Sequence, residues 1–331
     1  MEFITRLADK PVNYPLPTDG SAHWQAVPHR KNTWTAQITL PPVHPEHIIV
    51  PSFSQLASPD SAYLFELHTN AAAYRLNPVP HNTAAHSEPG THSEATDSDG
   101  NLDTAASAVS SHIDCWHTHA HLSAPRVHVY VRSPRCPEDY LLTLSIRPLE
   151  LTVDTTAMAD WPPAGVGVPR NISQMQAQAD IRQRICSPTA LSMALSALQP
   201  EVDWEACVTA CYDPKTRAYG AWPLAIRTAA QNGHLAAVEC FTNWIDVLTV
   251  LKAGSPLVCS IKFDEGQLDG APLPRTGGHL VVLKGLDARY VWICDPAAAD
   301  NQSVVRRLKL EQFSKAWLQH RGAAYIFVVP E

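Results

Sequence analysis

Residues 184–195 read Arg184-Ile185-Cys186-Ser187-Pro188-Thr189-Ala190-Leu191-Ser192-Met193-Ala194-Leu195. A cysteine stands before a Ser-Pro pair, and a run of good helix formers follows. Ser is favoured as an N-cap and Pro at the first helical position, so a helix is expected to begin at Ser187–Pro188. Cys186 then sits at the positive end of the helix dipole, beside free backbone N–H groups. That placement lowers a thiol pKa and makes the reactive thiolate accessible near neutral pH. The alternative is a cysteine simply packed at a helix start, and the residues about ninety positions downstream decide between the two.

There, Gly277-Gly278-His279-Leu280-Val281-Val282-Leu283-Lys284-Gly285 reads as a strand opening on a histidine. Leu286-Asp287-Ala288-Arg289 reads as a turn, and Tyr290-Val291-Trp292-Ile293-Cys294 as a second strand closing on Asp295-Pro296. With the turn centred on Asp287, His279 and Asp295 are expected to face each other, with Cβ atoms about 4.5–5.5 Å apart. A hydrogen bond through Nδ1 would then fix the imidazole tautomer and stabilise the imidazolium, leaving the other ring nitrogen for a thiolate. A nucleophile at a helix start, a base on a strand and an orienting carboxylate follow the logic of a catalytic triad. Gly277 and Gly278 remove side chains ahead of the histidine and permit close approach of backbone or substrate.

Helical patterns surround Cys186, and strand patterns surround His279. Helices are expected at about Asp203–Cys211, Trp222–Asn232 and Trp244–Lys252, the last ending at Gly254. Trp204, Cys207 and Cys211 fall at i, i+3 and i+7, the spacing of a packing face rather than of a metal site. The period then switches to two over Leu257–Phe263, His279–Gly285, Tyr290–Cys294, Val304–Leu308 and Ala323–Val329. Helices followed by antiparallel strands make an α+β arrangement. Ahead of it, Asp160-Trp161-Pro162-Pro163-Ala164-Gly165-Val166-Gly167-Val168-Pro169-Arg170 is dense in Pro and Gly and reads as a linker.

The first half carries strand signals at Thr33–Leu40, His47–Phe53, Ala62–His68, Pro125–Arg132 and Tyr140–Arg147, with prolines at the boundaries. Val127, Val129 and Val131 share one face, and Leu142-Thr143-Leu144-Ser145-Ile146 alternates in the same way. An all-β sandwich is expected over 1–155, then a linker at 156–170 and a catalytic α+β unit at 171–331. Between about Asn77 and Ser111 large apolar residues almost vanish, so a long mobile loop between strands is expected. Just beyond it, with His112 nearby, Cys115, His117, His119 and His121 fall at alternate positions on a strand. A closed metal site would need ligands from elsewhere as well, so no metal and no cofactor are expected.

The 331 residues are enough for two cores, and 25 basic against 32 acidic residues give a net charge of −7. No Lys/Arg-rich stripe points to nucleic acid or an anionic membrane. No apolar run reaches the length of a membrane span. Met1–Arg6 does not open a secretory signal, and the eight scattered cysteines form no disulfide framework. A cytoplasmic protein with reduced thiols is expected, with export by another route left open.

Several stretches together resemble the C39-like peptidases of the papain-fold superfamily. They are Ser173-Gln174, Ile185–Met193, Tyr212-Asp213, Tyr219-Gly220-Ala221-Trp222-Pro223, Gly278–Gly285 and Asp295-Pro296-Ala297-Ala298. The motifs fall in the family's order over roughly residues 168–331, and the amino-terminal half resembles a β-sandwich that precedes this domain in some members. The resemblance implies a papain-like fold, no metal, and a Cys186–His279–Asp295 triad acting on a peptide or protein substrate. It also implies a glutamine upstream of the cysteine whose side-chain amide helps form an oxyanion hole. Gln174 is the choice, with Gln176, Gln178 and Gln183 as competitors. Two other functions fit the same residues: acyl transfer or deamidation through the same thioester, and a papain-fold binding module without catalysis.

Overall fold

A computed structural model describes residues 3–10, 13–80, 107–154 and 161–329. Among them the amino-terminal part is all β. Its strands are β1 (Phe3–Ala8), β2 (Gln25–Ala26), β3 (Thr33–Thr39), β4 (His47–Gln55), β5 (Ala62–His68), β6 (Ala73–Arg75), β7 (Val109–Ser111), β8 (Trp116–Thr118), β9 (Arg126–Arg132) and β10 (Tyr140–Pro148). The rest contributes β11 (Ala164–Gly165), α1 (Cys186–Leu195), α2 (Trp204–Ala210), α3 (Trp222–Gln231), β12 (Ala236–Cys240) and α4 (Trp244–Lys252). Then come β13 (Leu257–Phe263), β14 (Thr276–Leu286), β15 (Tyr290–Cys294), β16 (Val305–Lys309), α5 (Leu310–Ala316) and β17 (Ala323–Phe327). The architecture is mainly β, with few helices.

Two five-stranded antiparallel sheets form the amino-terminal part, ordered β1-β10-β4-β8-β7 and β2-β3-β9-β5-β6. They share one core: Val127, Val129 and Val131 of β9 and Phe65 and Leu67 of β5 meet Ile49, Phe53, Trp116 and Leu144 from the other sheet. Each such side chain contributes about 1.5–3 kcal/mol by leaving water. The alternation legible in β9 and β10 is the cause of this packing.

The second face of the β4/β10 sheet does not meet water. Ile48 and Val50 join the core under α1, and Ser52, Ser54, Thr143, Ser145 and Arg147 are buried. They meet β12, the edge strand of a seven-stranded sheet with the path β12-β17-β13-β14-β15-β16, to which β11 adds through β14. Ala236 N–H donates to Ser54 Oγ at 3.2 Å, and Ser54 Oγ donates to the Ala236 carbonyl at 2.7 Å. Val238 N–H donates to Ser52 Oγ, and Cys240 N–H to Ser145 Oγ. Arg147 Nη1 and Nη2 donate to the carbonyls of Phe241 and Leu318. Side-chain hydroxyls thus take the place of a neighbouring strand along an edge that would otherwise carry unpaired backbone groups. A buried carboxylate completes the contact: Glu239 accepts from Arg6 Nε at 2.7 Å, Tyr14 Oη at 3.0 Å and Ser145 Oγ at 2.9 Å.

Several expectations need correction. Most of the segment expected as a mobile loop, 77–111, lies outside the described residues, but both of its ends are built in. Val79 bridges Tyr63, and Val109–Ser111 form β7. The expected linker at 156–170 is described from Trp161 onward, and its Ala164–Gly165 pair with Leu286 and Gly285 as part of the large sheet. Helix α1 starts one residue earlier than expected, at Cys186, with Ile185 as a cap that lacks a side-chain hydrogen bond. Pro188 is tolerated there because the first-turn N–H groups have no intrahelical acceptor in any case. Among the described residues no helix is long and apolar enough to cross a membrane, and none of the eight cysteines is in a disulfide.

Candidate active site

Cys186 is the first residue of α1, and the helix packs its buried face, including Leu191, Met193 and Leu195, into the core beneath the large sheet. Ser187, expected as the helix cap, instead hydrogen-bonds Tyr325 on β17 at 2.9 Å, pinning the first turn to the sheet. Cys186 is only partly buried, while its neighbours Ile185 and Ser187 are fully buried. The residue is therefore held from behind by its neighbours and keeps part of its surface accessible.

His279 lies on β14 and is 3 % exposed; Asp295 follows β15 and is 1 % exposed. Their side chains meet, with 2.7 Å between His279 Nε2 and Asp295 Oδ1. Two details differ from the expectation. The β14–β15 register pairs Val282 with Cys294 and Leu283 with Ile293, then shifts at a bulge before Gly285–Trp292. Continued outward, that register sets Asp295 across from Val281, so His279 and Asp295 are diagonal partners on one face, still within side-chain reach. The ring atom given to the carboxylate is Nε2 rather than Nδ1, which leaves Nδ1 for the cysteine.

Cys186 and His279 are hydrogen-bonded, and the sulfur also receives the backbone N–H groups of Leu280 and Ser187. Burial alone pushes the Cys186 thiol up, but the His279 hydrogen bond and charge, with these two amides, outweigh it and hold the thiol below the ordinary range. Burial likewise pulls His279 down, yet Asp295 and then Cys186 raise it to about 10. The two shifts agree in direction and describe a thiolate–imidazolium pair. Six other cysteines (115, 136, 207, 211, 259 and 294) move the opposite way, chiefly through burial.

The loop after Asp295 ties a second segment to this pair. Asp295 Oδ1 also accepts from Ala297 N–H at 2.9 Å, which fixes the carboxylate. The Pro296 carbonyl accepts from Gln174 N–H at 2.8 Å, and Ser173 Oγ donates to the Ala298 carbonyl. Ser173 N–H donates to Asn301 Oδ1 at 2.7 Å. Gln174 opens a short 3₁₀ turn, Gln174–Gln176, and is buried, whereas Gln176, Gln178 and Gln183 are exposed. Its Nε2 donates to the Arg182 carbonyl at 2.8 Å, and its Oε1 is buried without a partner. The amides of Leu280 and Ala297 and the Ser187–Tyr325 bond were not singled out from the sequence. Only the strand register, which places Leu280 beside His279, carries a signal for any of them.

The described histidines after the segment 77–111 form no metal site. β8 ends at Thr118, the rings of His112 and His117 lie 4.0 Å apart and tilted by 42°, and His112 also meets Ser110 Oγ at 3.3 Å. His119 turns to Ser110 and His121 to His44. Among the described residues no three His, Cys, Asp or Glu side chains gather as metal ligands. Cys207 and Cys211 lie buried in the core, on the packing face that their spacing predicts.

The geometry defines a thiol–imidazole–carboxylate arrangement on a helix-and-sheet frame. Among known proteins, residues 169–325 match the model of the Peptidase_C39 like family. One similar solved structure is a double glycine motif protease from an AMS/PCAT transporter in complex with the leader peptide. It is 22% identical, with 50% of this chain and 99% of that chain covered and a TM-score of 0.34. Another, from Bacillus anthracis and described as C39-like, is 20% identical, with 52% of this chain and 100% of that chain covered and a TM-score of 0.40. No curated protein matches the chain.

Proposed function

We propose that the protein is a thiol-dependent hydrolase that cleaves a peptide or related amide bond through a Cys186–His279–Asp295 triad. The observation that carries this reading is the Cys186 thiol, hydrogen-bonded to a histidine whose other nitrogen lies 2.7 Å from Asp295. The Cys186 thiolate attacks the carbonyl carbon, and the carbonyl electrons move onto oxygen. The imidazolium of His279, through Nδ1–H, protonates the leaving amine as the C–N bond breaks, which leaves a thioester. His279 then takes a proton from water. The resulting hydroxide displaces the sulfur, and carboxylic acid and thiolate are regenerated. Asp295 holds the ring and stabilises its charged form.

In this reading Gln174 stabilises the oxyanion with the second Nε2–H, beside the Cys186 backbone N–H. Support comes from its burial among four candidate glutamines and from its tether to the Pro296 carbonyl. Residues 1–155 act as a β-sandwich accessory unit, and 171–331 as a papain-like catalytic unit. Iodoacetamide labelling and a peptide-library cleavage assay on one sample test the proposal. Cleavage that vanishes with Cys186→Ala supports it, and cleavage that survives that substitution refutes it.

A further inference from the structure

A cavity of about 290 Å³ lies where the amino-terminal sheets meet the start of α3. Its walls are apolar: Pro78, Val79 and Ile113 on one side, Tyr212 and Leu224 on the other. Ile113 and Tyr212, at 42 % and 38 % exposure, are two of the large apolar side chains that this surface leaves open to water. Three charged side chains line the same cavity, Asp213 and Lys215 on the outer 212–217 turn and Arg227, the buried one. Arg227 of α3 is 6 % exposed, its Nη1 donates to the Pro80 carbonyl, and its buried Nε has no acceptor. Among the described residues no Asp or Glu forms an ion pair with it. Asp213 also lines the cavity, but its carboxylate is engaged in its own turn, accepting from Lys215 N–H and Thr216 Oγ1.

A buried guanidinium without a counter-charge is destabilising, and an anion brought within reach offsets that cost. A mostly apolar cavity with one buried charged group is the general form of a small-molecule site. Lys215 stays in solvent at the rim, so the one buried cation suits a monoanion, since a phosphate dianion would leave one charge without a buried partner. At ~30 Å³ per heavy atom, the volume that a water occupies in the liquid, the space takes about ten such atoms. We infer that this cavity binds a carboxylic acid of about eight to ten carbons in all, its carboxylate toward Arg227 and its chain against Val79, Ile113 and Leu224. The site is separate from the thiol. Tyr212 packs on Tyr219 at 5.0 Å, and Tyr219 carries the guanidinium of Arg184, two residues before Cys186.

Titration calorimetry of the full chain with decanoate and with decan-1-ol tests this without any catalytic assay, so its outcome is independent of the hydrolase reading. Decanoate is expected to bind at one site, at least tenfold more tightly than the alcohol, and Arg227→Gln is expected to erase that difference. The unmodified protein provides a check that no misfolded variant can confuse. The ¹³C resonance of bound [1-¹³C]decanoate is expected to remain that of a carboxylate to lower pH than the free acid, because the guanidinium disfavours protonation. Equal binding of acid and alcohol overturns the inference, as does no binding of decanoate at 1 mM. Tighter binding of a short peptide ending in a free leucine carboxylate than of decanoate also overturns it, making the occupant a polypeptide end.

Discussion

His279 gives Nε2 to Asp295 Oδ1 at 2.7 Å, and so turns Nδ1 toward Cys186. In the proposed triad the two ring nitrogens have different tasks, because the carboxylate reaches the ring diagonally from the next strand. Ala297 N–H holds the same carboxylate oxygen, so the ring orientation is set by the loop that follows β15.

Replacing Asp295 by Asn tests this relationship. The imidazolium loses its carboxylate, so its pKa falls from about 10. Cys186 loses part of the positive charge that holds its thiol down, so its pKa rises. The thiolate–imidazolium pair exists between those two values, and the window narrows from both sides. Turnover is expected to fall by about 10²–10⁴-fold, with a narrower bell in its pH profile. An unchanged profile would count against the pairing.

Alkylation should single out one thiol. Cys186 is lowered, while burial pushes Cys211 up to about 12 and Cys294 to about 11. At pH 7, brief iodoacetamide treatment is expected to modify Cys186 first, as read by peptide mass mapping. His279→Ala removes the largest lowering influence, so the midpoint of the alkylation–pH curve should move upward. A midpoint that stays put means the imidazole does not tune the sulfur.

Gln174→Ala is expected to reduce turnover by about 10²-fold, the usual effect of losing one oxyanion donor. The pH limits should not move, because the amide does not titrate. Loss of thermal stability with full activity would assign Gln174 to holding the Arg182 carbonyl alone.

The contact between the two parts of the molecule is tested by Ser54→Ala and Glu239→Ala. The first leaves the buried Ala236 N–H without its acceptor and is expected to destabilise by about 1–3 kcal/mol. The second leaves Arg6 unpaired in a largely buried position and is expected to destabilise by about 3–5 kcal/mol. Denaturant unfolding measures both, and values near zero would mean that water replaces these partners readily.

Much of this was legible in the sequence, because local pattern and local structure coincide there. Trp244–Lys252, Leu257–Phe263 and Tyr290–Cys294 have the limits that their apolar period gives. The meeting of His279 and Asp295 was also legible, though not its register. The bulge between Leu283 and Gly285 arises where β11 crosses so closely that a Cβ on Gly285 would lie 3.0 Å from the Ala164 carbonyl. Nothing in the hairpin itself announces that third strand. The polar positions of β4 and β10 do not announce their partner for a related reason: alternation has the same appearance whether the polar face meets water or another strand's edge. β12, with Glu239 at a fully buried position, does not resemble a core strand until Arg6 and Tyr14 are seen beside it.

The hydroxyl row of Ser52, Ser54 and Ser145 has a consequence for how the chain is made. Synthesis runs from the amino end, so β4 and β10 leave the ribosome before β12 does. The sheet that receives Ala236–Cys240 is ready first. A strand that would stick to other copies of itself therefore emerges next to its own cover. Expressed without residues 1–155, the remaining chain would present that strand bare, and aggregates rather than monomers are expected.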